Sequence, residues 1–228
     1  MKKFLIKIFC ISSISFYLIQ IEKVEGIVPY YYFPSIKNLQ KQSLYIGKSS
    51  YQLLYFGQIK DSLNLAKLAV KLNAKDETLW LTLAEAQSAN KLYKNALNSL
   101  DKAEKINPNI SEIYFAKSNI YLKMSQQKNA KSTLEKGIAL EPNNHKAIFQ
   151  LGNILLTEKN YLGAINLFNK ALKIKPDFWQ AINNKGLAYF EKNNVNLSIK
   201  LFEKAISIQD NAEPLLGLAS CLRIKDSK

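Results

Sequence analysis

The sequence predicts an all-α fold, an α-solenoid of about five helical hairpins followed by one capping helix. Three observations carry that prediction. Pro108, Pro142 and Pro176 stand 34 residues apart. Small residues recur in fixed columns between them, and large apolar residues recur in others. A gapless period of this length marks a helical-hairpin solenoid, an architecture in which each hairpin leaves an apolar face that only the next one covers.

With each proline at position 32, units run 43–76, 77–110, 111–144, 145–178 and 179–212. Position 8 then reads Ser50, Ala84, Ser118, Gly152 and Gly186, and position 20 reads Ser62, Ala96, Ala130, Ala164 and Ser198. Position 27 reads Ala69, Ala103, Gly137, Ala171 and Ala205. Such columns are expected where two helices approach closely. Trp80, Tyr114 and Ile148 at position 4, with Leu100, Leu134, Phe168 and Phe202 at position 24, would fill the space between hairpins. The first unit keeps the small residues but has Ala66 at position 24 and no proline.

Within the unit 145–178, Ala147, Ile148, Leu151, Ile154 and Leu155 fall at helical spacing, as do Ala164, Ile165, Phe168, Ala171 and Leu172. Between them the short polar Glu158-Lys159-Asn160 forces an antiparallel turn. Asn107-Pro108, Glu141-Pro142 and Lys175-Pro176 end the second helix at the same point, because the residue before a proline is biased out of the helical region. The stretch 213–228, with Leu215, Leu216, Leu218, Ala219 and Leu222 and with Pro214 tolerated in the first turn, reads as a capping helix and tail.

The pattern resembles the tetratricopeptide repeat family, whose units set an aromatic at position 4, Leu-Gly at 7 and 8, Tyr at 11, Ala at 20, Phe at 24, Ala at 27 and Pro at 32. Leu151, Gly152, Ala164, Phe168, Ala171 and Pro176 meet that pattern most fully, and the match extends from Ser43 to Ala212. Lys117 and Lys185 at position 7 and Gln87 at position 11 depart from it. The resemblance implies a protein-binding scaffold whose concave groove is lined from the first helices. Here that lining is Phe115, Asn119, Leu122 and Lys123, then Phe149, Gln150, Asn153, Leu156 and Thr157, then Asn183, Asn184, Leu187, Phe190 and Glu191. Amides can donate to and accept from a peptide backbone while Phe115 and Phe149 take its side chains. The Lys/Arg clamp by which related chaperone-binding repeats grip a C-terminal carboxylate is absent, since Pro214 and Leu218 occupy two of its positions.

Residues 1–26 differ in kind. Lys2 and Lys3 precede a mostly apolar stretch from Ile8 to Ile21, which fits an export signal and is short for the ~20 residues of a membrane span. Val24 and Gly26 suit a cleavage site, which places the mature start at Ile27; an uncleaved membrane anchor is the alternative. Either places the repeats in a periplasm-like or thylakoid-lumen-like compartment, or tethered to its membrane. Residues 27–42, with Pro29 and Pro34 around Tyr30, Tyr31, Tyr32 and Phe33, are expected to form an extended aromatic linker.

The net charge is +14, and loss of residues 1–26, with four Lys and two Glu, leaves +12. Many lysines, among them Lys67, Lys102, Lys131, Lys170 and Lys204, lie on the second helices, which the resemblance makes the convex face. The charge therefore reads as a solvated surface, arguing against nucleic acid as the partner and leaving contact with an anionic membrane as the competing use of that face. His145 is the only histidine, Cys10 precedes the expected cleavage site and Cys221 lies on the capping helix. No triad, metal cluster or phosphate loop can be assembled from such a set, so the expectation is a non-enzyme without metal, cofactor or small-molecule substrate. The narrower expectation is a factor assisting assembly of a membrane complex such as a photosystem.

Overall fold

The computed structural model describes residues 36–226, and these form eleven helices with no strand among them. They divide into two compact units meeting at Asn107 and Pro108. In the first, α1 (Ile36–Tyr55), α2 (Ile59–Leu72), α3 (Glu77–Ala89) and α4 (Tyr93–Ile106) make two hairpins. In the second, α5 (Ser111–Lys123), α6 (Gln127–Leu140), α7 (His145–Thr157), α8 (Tyr161–Ile174), α9 (Trp179–Glu191) and α10 (Val195–Ile208) make three, followed by α11 (Ala212–Asp226). One expectation is corrected here. The stretch from Ile36 to Gln42 belongs to α1 instead of an extended linker; no proline or glycine stands between Ser35 and Ser43 to break the helix. The signal or anchor at 1–26 and the Tyr30–Phe33 cluster lie outside the described residues.

Close approach explains the small-residue columns. Ser50, Ser62, Ala96, Ser118, Ala130, Ala164 and Ser198 are all fully buried, and so are Leu100, Leu134 and Phe168 in the large column. A Cβ added to Gly152 would stand 2.5 Å from Cε1 of Phe168, so the ring of α8 lies directly on the backbone of α7. Where the column carries serine, the hydroxyl bridges the two helices. Ser50 Oγ donates to the Ser62 carbonyl at 2.8 Å, Ser118 Oγ to the Ala130 carbonyl at 2.9 Å, and Ser198 Oγ to the Gly186 carbonyl at 2.7 Å. These bonds satisfy a buried hydroxyl that would otherwise cost about 1 to 3 kcal/mol.

A second device joins one hairpin to the next. Trp80 Nε1 donates to the Ala74 carbonyl at 2.8 Å, and Tyr114 Oη to the Pro108 carbonyl at 2.9 Å, both from position 4 to position 32 of the preceding unit. Alanine serves there as well as proline, so the latch uses the carbonyl and not the ring. The departures from the repeat pattern also find partners: Gln87 at position 11 accepts from Ser99 Oγ at 2.7 Å.

The turns inside the hairpins share a feature that the side chains hide. Gly57, Lys91, Ser125, Lys159 and Asn193 all occupy position 15, and all are left-handed, with φ of 75°, 60°, 59°, 60° and 60°. The following N–H of each reaches back to the last turn of the first helix, as in Asn160 N to the Leu155 carbonyl at 2.8 Å. This left-handed cap ends the helix and reverses the chain, and only at Gly57 does it use the residue that adopts it without strain. Lys159→Gly is therefore expected to stabilise the protein by about 1 kcal/mol in urea denaturation. Unchanged or lower stability would show that the left-handed backbone there is not strained.

Candidate functional site

The expected site residues all lie in the second unit, on the first helices α5, α7 and α9. The structure separates them into two classes. Position 5 points into the seam between helices. The ring of Phe115 covers Gly137 of α6, where an added Cβ would lie 2.5 Å from Cε1, and it packs against the cluster containing Leu134, Leu151 and Ile154. Phe149 sits 4.9 Å from the ring of Phe178 and 5.7 Å from that of Phe168, measured between centroids. Both rings are half-buried and take part in the packing between helices. The reason is geometric: position 5 is one residue after the packed position 4 and shares its side of the helix.

Positions 6 and 9 lie beside the groove and pair with each other. Gln150 Nε2 donates to Asn119 Oδ1 at 3.3 Å, and Asn184 Nδ2 donates to Asn153 Oδ1 at 2.8 Å. Each bond runs from position 6 of one unit to position 9 of the unit before it. The amide face is thus organised before any partner arrives, and each pair still leaves donor and acceptor capacity over. Thr157 at position 13 accepts from Gln127 Nε2 at 2.6 Å and is taken up in the same inter-hairpin bonding. Lys123, the last residue of α5, is exposed.

Asn183 behaves differently from the other amides. It is 7% exposed, its Nδ2 donates to Asn184 Oδ1 at 3.0 Å, and its Oδ1 has no hydrogen-bond partner. It occupies position 5, where the other units carry Gly47, Leu81, Phe115 and Phe149. An amide in that column holds Asn184 in orientation toward Asn153 and leaves its own carbonyl buried and unpaired.

Beside it, α9, α10 and α11 line an open cleft of about 400 Å³, walled by Asn184, Leu187, Phe190, Glu213 and Leu216 and floored by Phe202. Sequence reasoning missed the share of α11. Glu213, Leu216 and Ser220 stand at positions 1, 4 and 8 of a sixth unit. In complete units a second helix buries positions 4 and 8, as it does Ile148 and Gly152. Among the described residues no second helix follows α11, so Leu216 is 70% exposed and the wall stays open. The signal was available in the register. On the same helix Cys221 is fully buried, with Sγ 3.5 Å from Ser198 Oγ, and acts as a packing residue.

Two charged groups on first helices carry the mark of burial. Burial, with Lys204 adding to it, holds the Lys185 ammonium below the usual lysine range. In the first unit, burial pushes the Glu85 carboxyl up. Neither stands in a cluster that could do chemistry, and among the described residues no group of three His, Cys, Asp or Glu side chains could hold a metal ion.

The family follows from the repeats themselves. The tetratricopeptide repeat model matches residues 77–110, 111–144, 145–178 and 180–211, more than half of the chain. The chain belongs to the tetratricopeptide repeat family. Its fold is similar to that of MamA from Desulfovibrio magneticus RS-1, at 21% identity over 78% of this chain and 100% of that one, with a TM-score of 0.67. It is also similar to YrrB, described as a TPR protein with an unusual peptide-binding site, at 20% identity over 85% of this chain and 98% of that one, TM-score 0.63. A third likeness is to pilF of Pseudomonas aeruginosa, at 13% identity over 85% of this chain and 87% of that one, TM-score 0.73. No curated protein matches the chain by sequence. At these identities the likenesses establish the repeat fold.

Asn183→Leu tests whether the buried amide is unsatisfied. Leucine has the same branching, suits the column and removes an unpaired acceptor whose burial costs about 1 to 3 kcal/mol, at the loss of one hydrogen bond of about 1 kcal/mol. The variant is expected to denature at higher urea by about 1 kcal/mol. A loss of that size would show that Asn183 Oδ1 is paired in solution.

Proposed function

We propose that this tetratricopeptide repeat protein is a non-catalytic scaffold that holds an extended segment of another protein along the first-helix face of its second unit. The observation that carries this reading is the registered pair of amide bridges, Gln150 with Asn119 and Asn184 with Asn153, leading into the cleft between α9 and α11. A peptide backbone offers a donor and an acceptor at every residue, and fixed amides match that without selecting its sequence. The cleft adds selection. Its Leu187, Phe190, Phe202 and Leu216 suit one apolar side chain of the partner, and the Glu213 carboxylate at its edge favours a segment with a basic residue beside that side chain. The peptide-binding site named for YrrB is consistent with this use of the fold.

The setting is part of the proposal. The apolar stretch from Ile8 to Ile21 supports an exported chain or one tethered at a membrane, and a partner that is a subunit of a membrane complex under assembly, such as a photosystem. Among the described residues no helix is long and apolar enough to cross a membrane. The competing use of the second-helix lysines, as an anionic-surface contact, is weakened at Lys131 of α6, which already pairs at 3.0 Å with Glu158 in the turn after α7.

A photo-crosslinking residue placed at Leu187 in the cleft, and in a parallel variant at Lys170 on α8, distinguishes the two faces. The expected result is covalent capture of a defined partner peptide from Leu187, at least tenfold above that from Lys170. Capture from Lys170 alone would transfer the function to the second-helix face.

A further inference from the structure

Among the described residues, aromatic exposure is confined to one place. Among the described residues, the only exposed large aromatics are Tyr45, Tyr51, Tyr55 and Phe56, at 57%, 57%, 83% and 73%. Every other described aromatic is at least partly buried in its hairpin. Leu44, Lys48, Tyr51 and Tyr55 follow the i, i+4, i+7, i+11 spacing of one helix face, and Lys41, Tyr45 and Gln52 flank it. The buried residues of α1, Ser43, Gly47, Ser50 and Leu53, lie on the other side. Tyr55 and Phe56 meet edge to face with centroids 5.5 Å apart. α1 therefore has two faces with different chemistry: a small-residue face against its own hairpin, and an aromatic and lysine face against nothing else described.

We propose that this exposed face of α1, which carries positions 2, 6, 9 and 13 of its own unit, rests on the surface of an anionic membrane. Three observations select that occupant. First, tyrosine is the side chain suited to the boundary between headgroups and acyl chains, because its ring is apolar and its hydroxyl remains hydrated; phenylalanine beside it inserts further. Second, the charge is one-sided. α1 contains Lys37, Lys41 and Lys48 and no acidic residue, and between Ile27 and Leu72 six lysines face one aspartate, Asp61. Lysines in such a position are drawn to anionic lipid headgroups, whereas the groove of another protein would demand matched carboxylates. Third, α1 follows closely in sequence on the apolar stretch that ends at Ile21. Fourteen residues separate Ile21, the end of the apolar stretch, from Ile36 at the start of α1. Fully extended they reach at most about 50 Å. If the stretch enters a bilayer, it holds α1 beside the same surface; if it is removed, the lysines and aromatics remain as the contact.

This contact is independent of the peptide reading, since it uses the first unit and leaves α5 to α11 free. It also differs from a basic second-helix surface, because α1 is a first-type helix and its apolar component is aromatic.

The test uses the full chain with Cys10→Ser, so that a single engineered cysteine can carry an environment-sensitive nitrobenzoxadiazole label; Cys221 is buried. Tyr55→Cys places the label on the proposed face and Leu162→Cys, 63% exposed on α8, serves as the reference. Vesicles of 30% phosphatidylglycerol in phosphatidylcholine are expected to shift the emission at 55 to the blue and to allow quenching by a shallow spin-labelled lipid. The reference label should stay water-like. The response at 55 should fall at least threefold with pure phosphatidylcholine vesicles, and by a similar factor when Tyr45→Ser and Tyr51→Ser are added, with circular dichroism unchanged. A water-like label at 55 on vesicle-bound protein would overturn the proposal, as would failure of the protein to bind. A blue shift without vesicles also overturns it: one that grows with protein concentration identifies a second copy as the occupant, and one independent of concentration identifies the chain's own N-terminal segment.

Discussion

Everything in this molecule depends on how closely the two helices of a hairpin approach. The ring of Phe168 lies on the backbone of Gly152, and Phe202 lies 3.1 Å from where a Cβ of Gly186 would be. In these two units contact at that distance leaves no room for a side chain at position 8, the other units carry only Ser50, Ala84 and Ser118 there, and position 20 holds only alanine or serine. It also orients each first helix about its own axis. With positions 4 and 8 committed to the hairpin, position 5 falls into the seam and positions 6 and 9 fall beside the groove. The polar surface offered to a partner is thus a consequence of apolar packing on the opposite side of the same helices.

That orientation gives the two ends of the chain different roles. In the second unit the amides at positions 6 and 9 bridge successive hairpins, so the face is ordered in advance and a bound segment need not immobilise it. At α11 the pattern stops after one helix, and side chains that a second helix would have covered become the wall of a cleft. At α1 the hairpin is packed on one side by serine and glycine, while the exposed side carries Tyr45, Tyr51 and Tyr55. Among the described residues, the same repeat plan yields a cleft beside α11 and an exposed aromatic surface on α1.

The fold was legible because the prolines and the small columns repeat without a gap, and each column reports one close contact. Proline itself proved incidental. α2 and α10 end at Leu72 and Ile208, the same register position as the helices before Pro108, Pro142 and Pro176, with Ala74 and Asp210 where the prolines would stand. The start of α1 was not legible, because its first residues precede the repeat frame. The left-handed position 15 was hidden for another reason: three of its five occupants, Lys91, Ser125 and Lys159, are residues that rarely adopt that backbone, so their identity carries no signal. Among the site residues, the amides Asn119, Gln150, Asn153 and Asn184 could be located from register, but their pairing depends on the distance between successive first helices, which no single unit encodes. Phe115 and Phe149 were assigned to the groove because large rings at a first-helix position resemble anchors; only the neighbouring Gly137 and Phe178 reveal that the rings also pack in the seam.

The most direct test of the close-approach account is a double-mutant cycle between Gly152 and Phe168, read by equilibrium denaturation. Gly152→Ala introduces a Cβ 2.5 Å from Phe168 Cε1 and should destabilise the protein by about 1 to 3 kcal/mol. In the Phe168→Leu background the same change should cost much less, giving a coupling of about 1 kcal/mol or more. Additive effects, within about 0.3 to 0.5 kcal/mol, would contradict the account, because they would mean that the ring of α8 does not rest on the backbone of α7.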